Sequence, residues 1–347
     1  MIFFFILVFI EFFQSVYFQN FKASTLIGII LRLILGYIII KIVKTKFLNI
    51  FINIIYFTCF ITVPIFLIIL LTPSIDFFLS LADYFKTPSF FDNAIDDRIY
   101  PNIIFYTFNK YFIYENIRNS GPFCEPGMYA VYLNLALLFN IMINKKMFSR
   151  KNIFLIVTII TTISTAGYLA LFFILISNAM KFNKIKYYFI FIIMVSFSYY
   201  LFESLPFLKE KIETNIEDRN ETTSSRFGSF MADLVLIKEN PVIGYGRNVY
   251  DVIGVVEYDI KTRHRNNGVS KIIVYYGIIF VIYYFYLFYR TFGKIVTYYE
   301  SDYKPFFCLL IVLILGFSQI IFQFPFFLSF PFLEYVYKKN RIINNLN

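Results

Sequence analysis

Charge interrupts this chain so seldom that ten predominantly apolar runs occupy most of it. They fall near 2–18, 24–40, 47–71, 128–143, 152–164, 167–180, 187–202, 269–289, 305–322 and 324–337. A helix crossing a hydrocarbon core of about 30 Å needs roughly 20 such residues, so most of the runs are of spanning or near-spanning length. Composition decides what they build. Hydrophobic residues make up 59% of the chain and charged residues 16%, with a mean hydropathy of +0.67. A soluble domain carries about 25% charge, and so sparse a supply cannot clothe a water-facing surface. The expected fold class is therefore all-α and polytopic, with about ten transmembrane helices in one integral membrane domain spanning 1–347. The stretch 2–18 lacks a basic leading region and a small-residue cleavage site, so it reads as a retained first span.

The 48 Phe and 29 Tyr, with no Trp, reflect a compositional bias, and no function is drawn from them. Cys59, Cys124 and Cys308 are scattered between apolar and polar settings and suggest no disulfide framework.

Flanking charge sets the topology. Lys145, Lys146, Arg150 and Lys151 precede the stretch 152–180, and Lys181, Lys184 and Lys186 follow it. Both clusters belong in the cytoplasm under the positive-inside rule, which requires an even number of crossings between them. The stretch is thus expected to form two short helices turning at Thr165-Ala166-Gly167. Ten crossings then place both termini inside, together with Lys41, Lys44, Lys46, Arg290 and Lys294. The long polar segments 72–127 and 203–268 share the opposite face. They hold 18 of the 22 acidic residues but only 13 of the 32 basic ones. The overall net charge of +10 is thereby an orientation signal of the inner loops, and nucleic acid is not an expected partner.

Two charges, Glu11 and Arg32, fall inside apolar runs at equal distances from the turn near Phe21 and Lys22. An isolated charge at mid-membrane costs roughly 2.5–3.5 kcal/mol even on insertion scales, so an ion pair between them is expected.

Long ordered loops usually carry function, and the chemistry is sought in the two outer ones. The first ends in Gly121-Pro122-Phe123-Cys124-Glu125-Pro126-Gly127, whose turn formers hold Arg118 and Glu125 near the bilayer surface. Arg118 is placed to bind an anion, and Glu125 either a sugar hydroxyl or a proton; the plainer reading is a helix-start turn with solvated charges. In the second loop a short interfacial helix is expected near 225–239, capped by Ser224 or Ser225. Its greasy face is Phe227, Phe230, Met231, Leu234 and Ile237, and Asn240-Pro241 ends it. Arg226 then sits in the first turn, where unpaired backbone N–H groups and a guanidinium fork both favour phosphate oxygens. Just before the eighth run stands Arg263-His264-Arg265-Asn266-Asn267, with the only histidine of the chain. Its arginine neighbours favour a neutral imidazole, which suits a general base. One histidine cannot build a Cys/His metal cluster, and the acids Asp92, Asp96 and Asp97 read as solvated, so no metal site is expected.

At these residues the chain resembles the O-antigen polymerase and O-antigen ligase superfamily. The likeness rests on three stretches: Gly121-Pro122-Phe123-Cys124-Glu125-Pro126; the run from Arg226 through Asn240-Pro241-Val242-Ile243-Gly244-Tyr245-Gly246; and His264 with Asn266 and Asn267 ahead of Tyr276-Gly277-Ile278. One departure is visible. Relatives often carry Ser-Arg before the glycine of the short fifth-to-sixth-span turn, where this chain has Ser164-Thr165-Ala166-Gly167.

The resemblance implies a membrane-embedded, all-helical (GT-C-like) glycosyltransferase on the periplasmic face of a bacterial inner membrane. It would be independent of metal and of any cofactor. Undecaprenyl-diphosphate-linked oligosaccharide would serve as both donor and acceptor. A flippase and a chain-length regulator of the same pathway are the expected protein partners. Arg226 and Arg118 would hold the donor diphosphate, Arg263 and Arg265 the second lipid phosphate, and Asn266 and Asn267 the acceptor. His264 would deprotonate the acceptor, with Glu125 the competing base. Two other functions fit the sequence: a ligase transferring finished glycan to a lipid A–core acceptor, and a lipid-linked oligosaccharide flippase or other transporter.

Overall fold

The computed structural model describes residues 2–72, 74–85, 101–108, 117–179, 226–249, 252 and 267–337. The expectations for 187–202, for Asp92, Asp96 and Asp97, for the caps Ser224 and Ser225, and for Arg263, His264, Arg265 and Asn266 lie outside them. The described residues are mostly helical: α1 (Ile2–Tyr17), α2 (Ala23–Val43), α3 (Phe47–Leu71), α4 (Ile75–Ala82), α5 (Pro126–Asn144), α6 (Arg150–Thr161), α7 (Thr165–Ala179), α8 (Arg226–Glu239), α9 (Gly268–Tyr298), α10 (Pro305–Ser318) and α11 (Pro325–Leu333). A two-residue antiparallel pair, β1 (Asn102–Ile103) with β2 (Tyr106–Thr107), is the one addition to an all-α fold among them. Three stretches are long and apolar enough to cross a membrane: Ala23–Leu71, which joins α2 and α3 through a 3-10 turn, then α5 and α9. Shorter apolar helices include α1, α7 and α10. This is a helical membrane protein.

The chain divides into two compact units, 1–47 with 179–347, and 48–178. In the first, α1 buries Phe3, Leu7, Glu11 and Gln14, a stripe at helical spacing. Its opposite side exposes Phe5, Phe9, Phe12, Val16 and Tyr17, a surface suited to acyl chains and not to water. The buried stripe runs antiparallel along α9. Phe3 stacks on Tyr284 at 5.3 Å, the Tyr276 hydroxyl donates to Glu11 Oε1 at 2.7 Å, and Gln14 Nε2 donates to the Tyr275 carbonyl at 2.7 Å.

Helix α9 is broken at Gly277, whose φ of 77° and ψ of 165° no helix contains. A break inside a membrane helix frees polar backbone groups that lipid cannot satisfy. Here the segment after α8 repairs it. Tyr245 and Gly246 donate their N–H groups to the carbonyls of Val274 and Tyr275, and Ile278 donates to Pro241. Gln14 Nε2 adds a bond to the Ile243 carbonyl at 2.6 Å. The approach is close enough to demand glycine on both sides. A Cβ at Gly277 would sit 1.9 Å from the Val242 carbonyl oxygen, and one at Gly244 would sit 2.7 Å from the Gly277 nitrogen.

In the second unit α5 is buried along most of its length. Its Tyr129 hydroxyl is shared between Thr58 and Thr62 of α3, each at 3.1 Å. Pro126 opens α5 in the first-turn position where its missing N–H costs nothing, and Ser149 caps α6 by accepting from the Asn152 N–H. Residues 150–179 form two short helices, as the flanking charge requires. The break lies at 162–164 with Ile163 at φ 47°, three residues before the expected Thr165-Ala166-Gly167. Gly167 instead belongs to the first turn of α7, where a Cβ would meet Ala130 Cβ at 2.7 Å. It serves close helix packing, which a sequence does not distinguish from a turn.

Candidate functional site

The motif 118–125 belongs to the second unit and is built around the α6–α7 break. Arg118 donates from Nε to the Thr162 carbonyl at 3.1 Å and from Nη2 to the Ile163 carbonyl at 2.6 Å. Asn119 fastens the same turn, its N–H on Thr161 O and its amide on Thr161 Oγ1. Arg118 therefore sits on the α6–α7 turn, its guanidinium held by the backbone of Thr162 and Ile163 just ahead of Ser164-Thr165-Ala166-Gly167. Gly121 adopts φ 54°, and a Cβ there would lie 2.6 Å from the Tyr129 ring. Phe123 stacks on Tyr132 at 4.6 Å. Together they deliver Glu125 to the position preceding α5, half-buried and with no side-chain capping bond. Next to it, burial first and the Glu125 carboxylate second push the Cys124 thiol up. A thiol so shifted stays protonated at neutral pH and is no nucleophile.

Arg226 opens α8, in the first unit, as the helical spacing predicts, and α8 stops at Glu239 before Asn240-Pro241. The inward face includes Ile237 of the expected apolar stripe and adds polar residues to it. Ser229, Asp233, Leu236 and Ile237 are buried, while Met231 is 45% exposed and Val235 50%. The rotation is fixed by a polar contact: Asp233 Oδ2 accepts from Ser270 Oγ at 2.5 Å, with both residues fully buried. An unpaired buried carboxylate costs more than one apolar side chain gains by burial, so this contact outranks the greasy stripe. Leu236, Ile237, Val249 and Val274 close the apolar layer beneath it.

Asn267 caps α9, its Oδ1 accepting from the Val269 and Ser270 N–H groups at 3.0 Å each. The carbonyl of a residue expected to bind acceptor is thus committed to the cap, and its buried Nδ2 makes no hydrogen bond among the described residues. Gly268 lets the start of α9 abut the end of α10, since a Cβ there would overlap the Gln319 and Gly316 carbonyls.

Glu11 does not pair with Arg32. Its Oε1 meets Arg247 Nε at 3.1 Å and accepts from Tyr276, while Arg247 Nη2 donates to the Thr25 carbonyl at 2.5 Å. Arg32 lies within electrostatic reach of both Glu11 and Arg247 without bonding either. The glycine turn containing Arg247 carried no site in the sequence reading; only its neighbourhood in space reveals the residue as the counter-ion.

Among the sequence-predicted residues, Arg118 and Glu125 share one unit and Arg226 and Asn267 the other. Among the described residues no group of three or more His, Cys, Asp and Glu could hold a metal. No protein-family model, curated protein or solved structure matches the chain.

Proposed function

We propose that this protein is an O-antigen or related surface-polysaccharide polymerase, spanning the bacterial inner membrane about ten times with its active site on the periplasmic face. One observation carries the reading furthest. The helix that Arg226 opens is tied through Asp233 to Ser270 in the first turn of α9, and Arg263-His264-Arg265-Asn266 directly precede the cap of that helix in the chain. The contact that joins α8 to the start of α9 supports a reading in which Arg226 binds phosphate and His264, three residues before the α9 cap in sequence, acts as the base.

In the reaction, the growing glycan leaves undecaprenyl diphosphate. A hydroxyl of the incoming lipid-linked repeat forms the new bond to the anomeric carbon as the bond from that carbon to diphosphate oxygen breaks. The electron pair departs with the diphosphate, whose growing charge Arg226 neutralises. The hydroxyl proton passes to His264, while Arg263 and Arg265 hold the acceptor's lipid phosphate and Asn266 its sugar. A discontinuous membrane helix is also a transporter feature. In this chain the Val274 and Tyr275 carbonyls at the break accept from Tyr245, Gly246 and Gln14, and Glu11 is neutralised by Arg247, which favours a structural role for the break.

Arg226→Ala and His264→Ala are each expected to leave the protein inserted at normal abundance while abolishing long-chain glycan on a lipopolysaccharide gel. A normal modal ladder from both variants defeats the assignment.

A further inference from the structure

Ser229, Asp233 and Ile237 recur along α8 at four-residue steps and are all buried, so they form one stripe down its inward face. Arg226 begins the same stripe. It precedes Asp233 by one heptad, which in a helix is two turns less about 20°. Whatever direction Asp233 faces, Arg226 therefore faces too, roughly 10 Å nearer the start of the helix. α8 also runs parallel to α9 and in step with it. Asp233 meets Ser270 at a separation of 37 residues, and Pro241 accepts from Ile278 at the same separation. Between those contacts Leu236 and Ile237 share an apolar layer with Val274. The cap of α9 at Asn267 lies less than one turn before Ser270, so the first turn of α8 reaches past the end of α9 and carries Arg226 with it.

Apolar contacts alone do not hold that setting. Burial of apolar area has no direction, and the half-exposed Met231 and Val235 on the outer side of α8 offer a rotated helix a second apolar face. The hydrogen bond from Ser270 to Asp233 does have a direction. Both residues are fully buried, where losing a partner is costly. A buried polar contact of this kind selects one helix setting, as a single polar residue selects the register of a coiled coil.

We infer that Asp233 is a positioning residue for glycosyl transfer: by accepting from Ser270 it sets the rotation of α8, and so fixes where Arg226 meets the leaving diphosphate. The inference rests on the polymerase reading above. Asp233 is itself buried and acts only through the direction of Arg226. A misplacement of about 1 Å at a group that stabilises developing charge costs on the order of 10²-fold in rate.

Steady-state elongation by the detergent-purified full chain tests it, with undecaprenyl-diphosphate-linked repeat units extracted from a strain lacking the gene as the probe. Asp233→Leu/Ser270→Ala replaces the polar pair by an apolar one of similar size, an exchange that is nearly neutral for stability when both partners change together. This variant is expected to stay monodisperse with an undiminished thermal midpoint, yet to lose about 10–100-fold in kcat while KM moves less than about threefold. Asp233→Asn keeps an oxygen for the Ser270 hydroxyl and is expected to remain within about threefold of wild type. If the apolar pair does not fold, Ser270→Ala, which removes one oxygen, carries the same expected split. A folded apolar pair with wild-type kcat overturns the inference and leaves the polymerase reading standing. So does an Asp233→Asn protein as slow as the apolar pair, since the hydrogen bond would then not be what counts. A loss of kcat only in step with a lowered thermal midpoint makes the pair structural and overturns it too. Wild type that elongates nothing removes the polymerase reading and the inference together.

Discussion

Gly277→Ala is expected to yield no stably folded protein. The substituted Cβ would sit 1.9 Å from the Val242 oxygen and 2.5 Å from its carbon, and both are backbone atoms with no rotamer to change. Retreat is blocked as well. Pro241 accepts from Ile278, Tyr245 donates to Val274, and Gly246 donates to Tyr275, so moving the inserted segment unpairs several backbone groups in apolar surroundings. A left-handed residue other than glycine costs about 1–3 kcal/mol by itself, and the overlap adds to that. Gly293→Ala, in the regular part of the same helix, is the internal control. Its Cβ meets only Pro305 Cγ at 3.8 Å, and replacing glycine within a helix gains roughly 0.5–1 kcal/mol. Fluorescence-detected size-exclusion of detergent extracts should show a monodisperse peak for Gly293→Ala and aggregate or nothing for Gly277→Ala. Indistinguishable profiles would refute the inserted-segment description of α9.

The second large effect is expected at the Glu11–Arg247 pair. Removing one member of a buried pair strands the other charge and destabilises by about 3–5 kcal/mol, whereas an apolar replacement of both is often nearly neutral. Glu11→Leu strands two arginines, Arg247 and the nearby Arg32, in mutual repulsion; Arg247→Leu leaves the Glu11 carboxylate with the Tyr276 hydroxyl and the more distant Arg32. Both single variants should therefore lower the thermal unfolding midpoint in detergent strongly. The double variant Glu11→Leu/Arg247→Leu should recover most of the loss. Additive losses in the double variant would mean that the two groups are not coupled.

The helices were largely legible in the sequence. Nine of the ten apolar runs coincide with α1–α3, α5–α7 and α9–α11, because runs of this length and composition have one stable backbone solution in lipid. The stop of α8 at Asn240-Pro241 was legible for the same local reason. What escaped was set by distant partners. A hairpin argument considers only the neighbour across the α1–α2 turn, so it offers Arg32 to Glu11 and cannot see Arg247. The helical spacing of Phe230, Leu234 and Ile237 finds residues that pack in α8, but nothing local says that Asp233 has Ser270 waiting for it. Tyr276-Gly277-Ile278 looks like the interior of a continuous span, yet Val242 and Gly244 make it a break. The residues that would carry chemistry, Arg118, Glu125, Arg226 and His264, stand out in the sequence by charge, position and resemblance alone, because the partners that hold Arg118 on the α6–α7 turn are more than forty residues away in the chain.

The most direct measurement is a lipopolysaccharide gel from a strain in which this gene is disrupted, beside the same strain carrying the wild-type gene. A polymerase predicts that the ladder collapses to core bearing a single repeat unit and that the wild-type gene restores the full series of chain lengths. Core with no repeat at all would make the protein a ligase, and an unaltered ladder would contradict a role in building the polysaccharide.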